Sequence, residues 1–130
     1  MARKPRIRSY EDAKSLFKKA RFPQRGKPLE NNTRLFRRGE DYAVRLYSTD
    51  VVVYHPDGTL TVRTGGWDTV TTADRIGRYS PISLRFRSGT AYFVGPDQAI
   101  ETHKVGGEIS VGEDGYIQVK GEKEHQLLMA

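Results

Sequence analysis

The chain has 130 residues, no cysteine and a net charge of +6. That length suits one small domain rather than two. The missing cysteine excludes disulfides and thiolate metal sites. At 36% hydrophobic and 29% charged residues the composition is that of a globular protein. No apolar run approaches the ~20 residues of a membrane span. The basic N-terminus lacks the apolar core of a secretory signal. The expectation is a cytosolic protein with no membrane partner.

The charge is polarised along the chain. Residues 1–38 carry 13 Lys and Arg against 3 Asp and Glu, residues 39–94 carry 6 against 6, and residues 95–130 carry 3 against 7. A basic head of this kind is a recurring way to hold nucleic-acid phosphates. It also serves as a solubilising flank, or as a partner for the protein's own acidic end.

Residues 1–8 hold Pro5 and few apolar side chains, so they read as a loose basic arm. Ser9 reads as an N-cap with Asp12 in the capping-box position. Tyr10, Ala13, Leu16, Phe17 and Ala20 then recur at helical spacing, with Lys14, Lys18 and Lys19 on the other face. This predicts a short amphipathic helix over 10–20, packed on a sheet. Residues 22–32, with two prolines, read as a connector.

From Thr33 the period changes to two. Strands are expected over 33–38, 42–47, 50–55 and 59–63, with turns at Gly39 to Asp41 and at Pro56-Asp57-Gly58. Val51 to Val53 form a continuous apolar run, expected at the centre of the sheet. Thr64 to Thr72 make a glycine-rich corner holding the single Trp67. Thr72 or Thr71 is the expected N-cap of a helix near 72–79, stopped by Pro81. Further strands are expected over 82–87, 90–94, 98–104, 108–111 and 116–120. The arrangement predicts an α+β domain over 9–121, mainly an antiparallel sheet of about six to eight short strands, bent or partly closed. Residues 122–130 form a tail.

No catalytic or metal constellation stands out. His55, His103 and His125 are isolated, no GxSxG or P-loop occurs, and no cofactor motif is present. His55 reads as a polar surface residue. Trp67 and the threonines of the corner read as sheet core, turn and cap. Asp57 belongs to its turn and Asp74 to the first turn of its helix, where an acid suits the dipole. The chain is therefore not expected to be an enzyme.

Basic and aromatic residues interleave more suggestively. Arg34, Phe36 and Arg38 share one parity, which either buries two arginines or exposes a phenylalanine. Arg45 and Tyr47 lie beside them, and Arg85, Phe86 and Arg87 repeat the pattern. A wet face of this composition suits bases and phosphates. The nucleic-acid-binding residues expected are Arg3, Lys4, Arg6, Arg8, Lys14, Lys18, Lys19, Arg21, Arg25, Lys27, Arg34, Phe36 and Arg38. The partner is DNA or RNA. The alternatives are a modulator that binds a host protein and a minor structural protein that self-associates.

Several strings also carry a family mark: Thr33-Arg34-Leu35, Tyr42-Ala43-Val44-Arg45-Leu46, Thr49-Asp50-Val51-Val52, His55-Pro56-Asp57-Gly58, Gly65-Gly66-Trp67-Asp68-Thr69-Val70-Thr71-Thr72 and Asp74-Arg75-Ile76. Together they resemble a group of small uncharacterised tailed-bacteriophage proteins, with the pattern VRLHxTDVV, HPDG and TGGWxTVTTxDRI. The similarity covers residues 28–80, and 93–116 more loosely. Tyr47 stands where the group's pattern has His. The resemblance implies a phage-encoded accessory protein in the host cytoplasm and brings no catalytic residues with it.

Overall fold

A computed structural model describes residues 7–118. The chain begins with helix α1 (Tyr10–Phe17), capped as expected. The Ser9 hydroxyl accepts the Asp12 backbone N–H at 3.1 Å, and the Asp12 carboxylate accepts that of Arg8 at 3.0 Å. One orphan donor of the helix start, the Asp12 N–H, and the N–H just before the cap are thus satisfied. Tyr10 and Phe17 pack their rings 5.4 and 5.6 Å from that of Tyr42. Most of the arm expected over 1–8 lies outside the described residues, as does the tail. Ile7, however, is fully buried in the core.

Ten strands follow, all paired antiparallel. A seven-stranded sheet contains β1 (Lys27–Glu30), β2 (Thr33–Arg38), β3 (Asp41–Leu46), β4 (Thr49–Tyr54), β5 (Leu60–Arg63), β9 (Glu108–Val111) and β10 (Ile117–Gln118), in that spatial order. Between β5 and β9 the chain makes helix α2 (Val70–Tyr79) and a three-stranded sheet of β6 (Ser83–Arg87), β7 (Thr90–Gly95) and β8 (Gln98–Glu101). The α+β class, dominated by antiparallel sheet, agrees with the sequence. The ten strands exceed the six to eight expected, and one of the additions is Lys27–Glu30, read above as connector, which pairs with β2. Its Pro28 is tolerated because β1 is the edge of the sheet, where a missing N–H breaks no ladder.

Strand alternation gives the large sheet two unlike faces. Leu35, Tyr42, Val44, Leu46, Val52, Tyr54, Leu60, Val62, Ile109 and Val111 are buried and share one core with Ala13 of α1, Ile76 and Tyr79 of α2, and Leu84, Phe93 and Ile100 of the small sheet. The helices and the small sheet therefore cover one face. The other face carries Arg34, Phe36 and Arg38 of β2, Ala43 and Arg45 of β3, Val53 of β4 and Thr61 of β5, aligned by register. Between Val44 and Arg45 the register with β4 shifts, a bulge that re-aims the end of the β3–β4 hairpin.

A polar network ties α2 to the edge of the sheet. Glu30 on β1 lies 3.1 Å from Arg78 Nε and 3.5 Å from Arg75 Nη1, and it accepts the Tyr79 hydroxyl proton. Tyr54 donates to the Tyr79 carbonyl at 2.6 Å. Burial, reinforced by the bond to Glu30, pushes the Tyr79 phenol well above its ordinary range; burial does the same to Tyr54, helped by Tyr79.

Two details of α2 differ from expectation. Its N-cap is Thr69, whose hydroxyl accepts the Thr72 N–H at 3.2 Å, so the helix starts earlier than Thr71 or Thr72 would place it. Asp74 consequently sits past the first turn, too deep to serve the dipole, and pairs instead with Arg75 and Arg78. Burial would raise its carboxyl, but the hydrogen bonds from both arginines outweigh that and hold it below the usual range.

Candidate nucleic-acid interface

The open face of β2 and β3 gathers cations around aromatic rings. The Phe36 ring has the Arg38 guanidinium 4.7 Å and the Arg45 guanidinium 5.4 Å from its centroid. Beside it, the short 3-10 turn Pro23–Arg25 holds Phe22 exposed, with the guanidiniums of Arg21 and Arg25 at 5.7 and 5.4 Å. The two clusters abut. Arg34 Nη1 donates to the Arg25 carbonyl at 3.2 Å. Gly26, at φ +76°, brings its backbone so close to the Phe36 ring that an added Cβ would lie 2.9 Å from Cζ.

The sharpest feature is the pair Arg34 and Arg45. They stand directly opposite each other in the β2–β3 register. Like charges so placed repel. Arg38 has a counter-ion, a two-point contact to Asp50 at 3.0 and 3.1 Å. Arg34 and Arg45 have no carboxylate within ion-pair distance among the described residues; Asp50, the register partner of Arg45 on β4, is taken by Arg38. Arg45 instead gives its Nε to the Tyr47 carbonyl at 2.8 Å, which leaves both terminal nitrogens of its fork for other acceptors. Asn32, Arg34, Phe36, Arg45 and Tyr47 line an open depression of about 240 Å³.

Tyr47 is itself unusual. It occupies the β3–β4 turn at φ +55°, a conformation that glycine or asparagine usually takes. Its ring is 67% exposed and its hydroxyl accepts a bond from Asn32 Nδ2 at 2.8 Å. A bulky side chain held in a strained turn and pointed at solvent contributes nothing to the core.

Trp67 corrects its expected place in the sheet core: it is 63% exposed. Thr64 explains why. Its N–H donates to the Gly107 carbonyl, and the Trp67 N–H donates to the Thr64 carbonyl, both at 2.9 Å. Gly65 then packs against Thr49, and the chain turns outward at Gly66, leaving the indole outside.

The expected binding residues do not form one patch. Arg34, Phe36 and Arg38 lie together on the open face, with Arg21 and Arg25 beside them. Lys14 is exposed on α1, and Lys18 and Lys19 just past its end, on the side where α1 covers the opposite face. Lys27 registers with Leu35 and so belongs to the α1 side. Arg8 is exposed next to the α1 cap. Arg3, Lys4 and Arg6 lie outside the described residues. Arg85, Phe86 and Arg87 lie on the separate small sheet, as does Phe93, which is buried. Asn32, Phe22 and Trp67 join the candidate surface without having been expected there.

His55 has more neighbours than a lone surface histidine. Its Nδ1 lies 3.1 Å from Asp41 Oδ1 and its Nε2 2.8 Å from Thr61 Oγ1. Both ring nitrogens are thereby engaged across β3, β4 and β5, and the ring works as a cross-strand tie. No group of three or more metal-ligating side chains occurs among the described residues. No helix among them is long and apolar enough to cross a membrane.

Compared with protein families, with curated proteins and with solved structures, the chain matches none.

Proposed function

We propose that this chain is an accessory protein that binds nucleic acid through the open face of β2 and β3 and the adjoining 3-10 turn. One observation carries the reading: Arg34 and Arg45 face each other with no carboxylate within ion-pair distance, beside a half-buried Phe36 whose ring lies under the Arg45 guanidinium. A bound phosphate relieves their repulsion and accepts charge-assisted bonds from their forks. The rings of Phe22, Phe36 and Tyr47 supply stacking surfaces beside that charge. The resemblance to tailed-phage proteins supports an accessory role in an infected cell.

Arg21, Arg25, Arg34, Arg38 and Arg45 are the contacts in this reading. Lys14, Lys18 and Lys19 lie across the sheet and serve at most a second stretch of polymer. The test is a gel shift with labelled oligonucleotides at low salt, using the full chain and an Arg34→Gln/Arg45→Gln variant. The wild type is expected to shift the probe and the variant to shift it far less. An equal shift by both would move the interface elsewhere. No shift with DNA or RNA would leave protein partners as the reading to pursue, by capture from nuclease-treated lysate.

A further inference from the structure

The geometry points to a single-stranded partner, one of whose bases enters a cleft between Tyr47 and Trp67. This rests on the nucleic-acid reading and specifies it. The cleft holds about 360 Å³ and is lined by Tyr47, Ser48, Thr49, Thr64, Trp67 and Thr71 among others. That is at the lower end of the range for ligand sites, about 300–1,000 Å³. Tyr47 also lines the smaller depression containing Arg34 and Arg45. The arginine pair on the open face and the cleft, whose floor includes Leu46 and Thr72 on the α2 side, therefore share Tyr47 at the tip of the β3–β4 turn, and in this proposal a strand held by the arginines passes that tip to place a base in the cleft.

The walls suit a flat heterocycle. Tyr47 and Trp67 are among the most exposed large apolar side chains described; both are fixed in backbone, and the Tyr47 ring is also held through its hydroxyl by Asn32. Arg45 Nε holds the Tyr47 carbonyl. At the other wall, the Trp67 N–H binds Thr64 and the Trp67 carbonyl accepts the Thr69 N–H, at 2.9 Å each. Preorganised aromatic walls lose little entropy on binding.

The polar groups suit any base. The hydroxyls of Thr69 and Thr72 bond each other. Those of Ser48, Thr49 and Thr71 have no hydrogen-bond partner among the described residues. A hydroxyl both donates and accepts, so it meets either edge pattern. Stacking is equally tolerant, since every base has a π face. A base within a duplex has both faces covered by its neighbours and cannot enter such a cleft. Charge complementarity at Arg34 and Arg45 argues for this polyanionic occupant over an apolar one.

Trp67 is the only tryptophan in the chain, so its emission reports on the cleft directly. The full chain is titrated with oligothymidylate and oligouridylate of about 15 nucleotides, and with a hairpin duplex containing the same number of phosphates. Emission and probe anisotropy are read together, and a sizing column follows self-association. Both single strands are expected to bind more tightly than the duplex and to quench Trp67. Trp67→Ala is expected to weaken single-strand binding about 5- to 150-fold and to weaken duplex binding less. Trp67→Phe, which keeps a stacking ring, is expected to stay near wild type. Circular dichroism checks that the variants fold. If oligonucleotides bind and Arg34→Gln/Arg45→Gln weakens them, while Trp67 emission is constant and Trp67→Ala binds as wild type, the cleft proposal falls and the interface stands. If Trp67→Ala alters self-association and not affinity, the cleft belongs to a second copy and the proposal falls. If no oligonucleotide binds at low salt, both readings fall.

Discussion

Replacing Arg34 and Arg45 by glutamine, singly and together, tests whether their pairing is a stability cost retained for binding. Directly opposed like charges on neighbouring strands destabilise by about 0.2–1 kcal/mol. Each arginine also makes one exposed hydrogen bond, Arg34 to the Arg25 carbonyl at 3.2 Å and Arg45 to the Tyr47 carbonyl at 2.8 Å. Such a bond contributes about 0.5–1.5 kcal/mol, so each single substitution is expected to leave stability nearly unchanged. The second substitution has no repulsion left to relieve and costs more than it does in the wild type. The difference is the coupling, about 0.2–1 kcal/mol, repulsive in sign. The assay is urea denaturation of the four proteins at low salt and at about 1 M, where the Debye length shrinks to about 3 Å. The coupling is expected at low salt and absent at high salt. Additive substitutions at low salt, or an attractive coupling, would refute the argument that the pair lacks a counter-ion. A polyanion that stabilises the wild type and not the double variant would tie the same pair to ligand binding.

Tyr47→Asn is expected to raise the melting temperature by a few degrees, since asparagine accepts positive φ at a cost about 1 kcal/mol lower, and to weaken oligonucleotide binding; a loss of stability with unchanged binding would make Tyr47 structural. Gly65→Ala forces a side chain at φ +62° against Thr49 Cγ2, 2.7 Å away, and is expected to cost about 1–3 kcal/mol in thermal denaturation. Tyr79 and Tyr54 have phenols raised in the fold, so the folded state keeps protons that the unfolded state releases from about pH 10 upward. Their stability contribution is complete below that pH and is lost as pH rises toward the folded values. Denaturation at pH 8 and pH 11 should show this decline, and Tyr79→Phe should lessen it while lowering stability at pH 8 through the lost bond to Glu30.

The strands of β2 to β5 were legible because one buried face imposes a period of two, and α1 because its cap and apolar stripe agree. β1 was not legible, since Pro28 argues against a strand until its place at the sheet edge is known. The shared parity of Arg34, Phe36 and Arg38 pointed to the open face from sequence alone. The division of the basic head was hidden: lysines and arginines adjacent in the chain lie on opposite sides of the sheet once α1 folds back onto Tyr42. Trp67 was misplaced because hydrophobicity favours the core, while the hydrogen bonds that turn it outward run through Thr64 to Gly107, a contact between distant parts of the chain. Tyr47 carried one signal that could have been used, an aromatic residue at the centre of a two-residue turn.

The most direct test of the proposed function is the salt dependence of oligothymidylate affinity for the full chain. Three to five arginine contacts to phosphate predict a slope of log K on log salt of about −2 to −3.5 for a single strand. Removing Arg34 and Arg45 should reduce it by about 1.4. Binding that is insensitive to salt, or no binding at low salt, would contradict an interface built on these arginines.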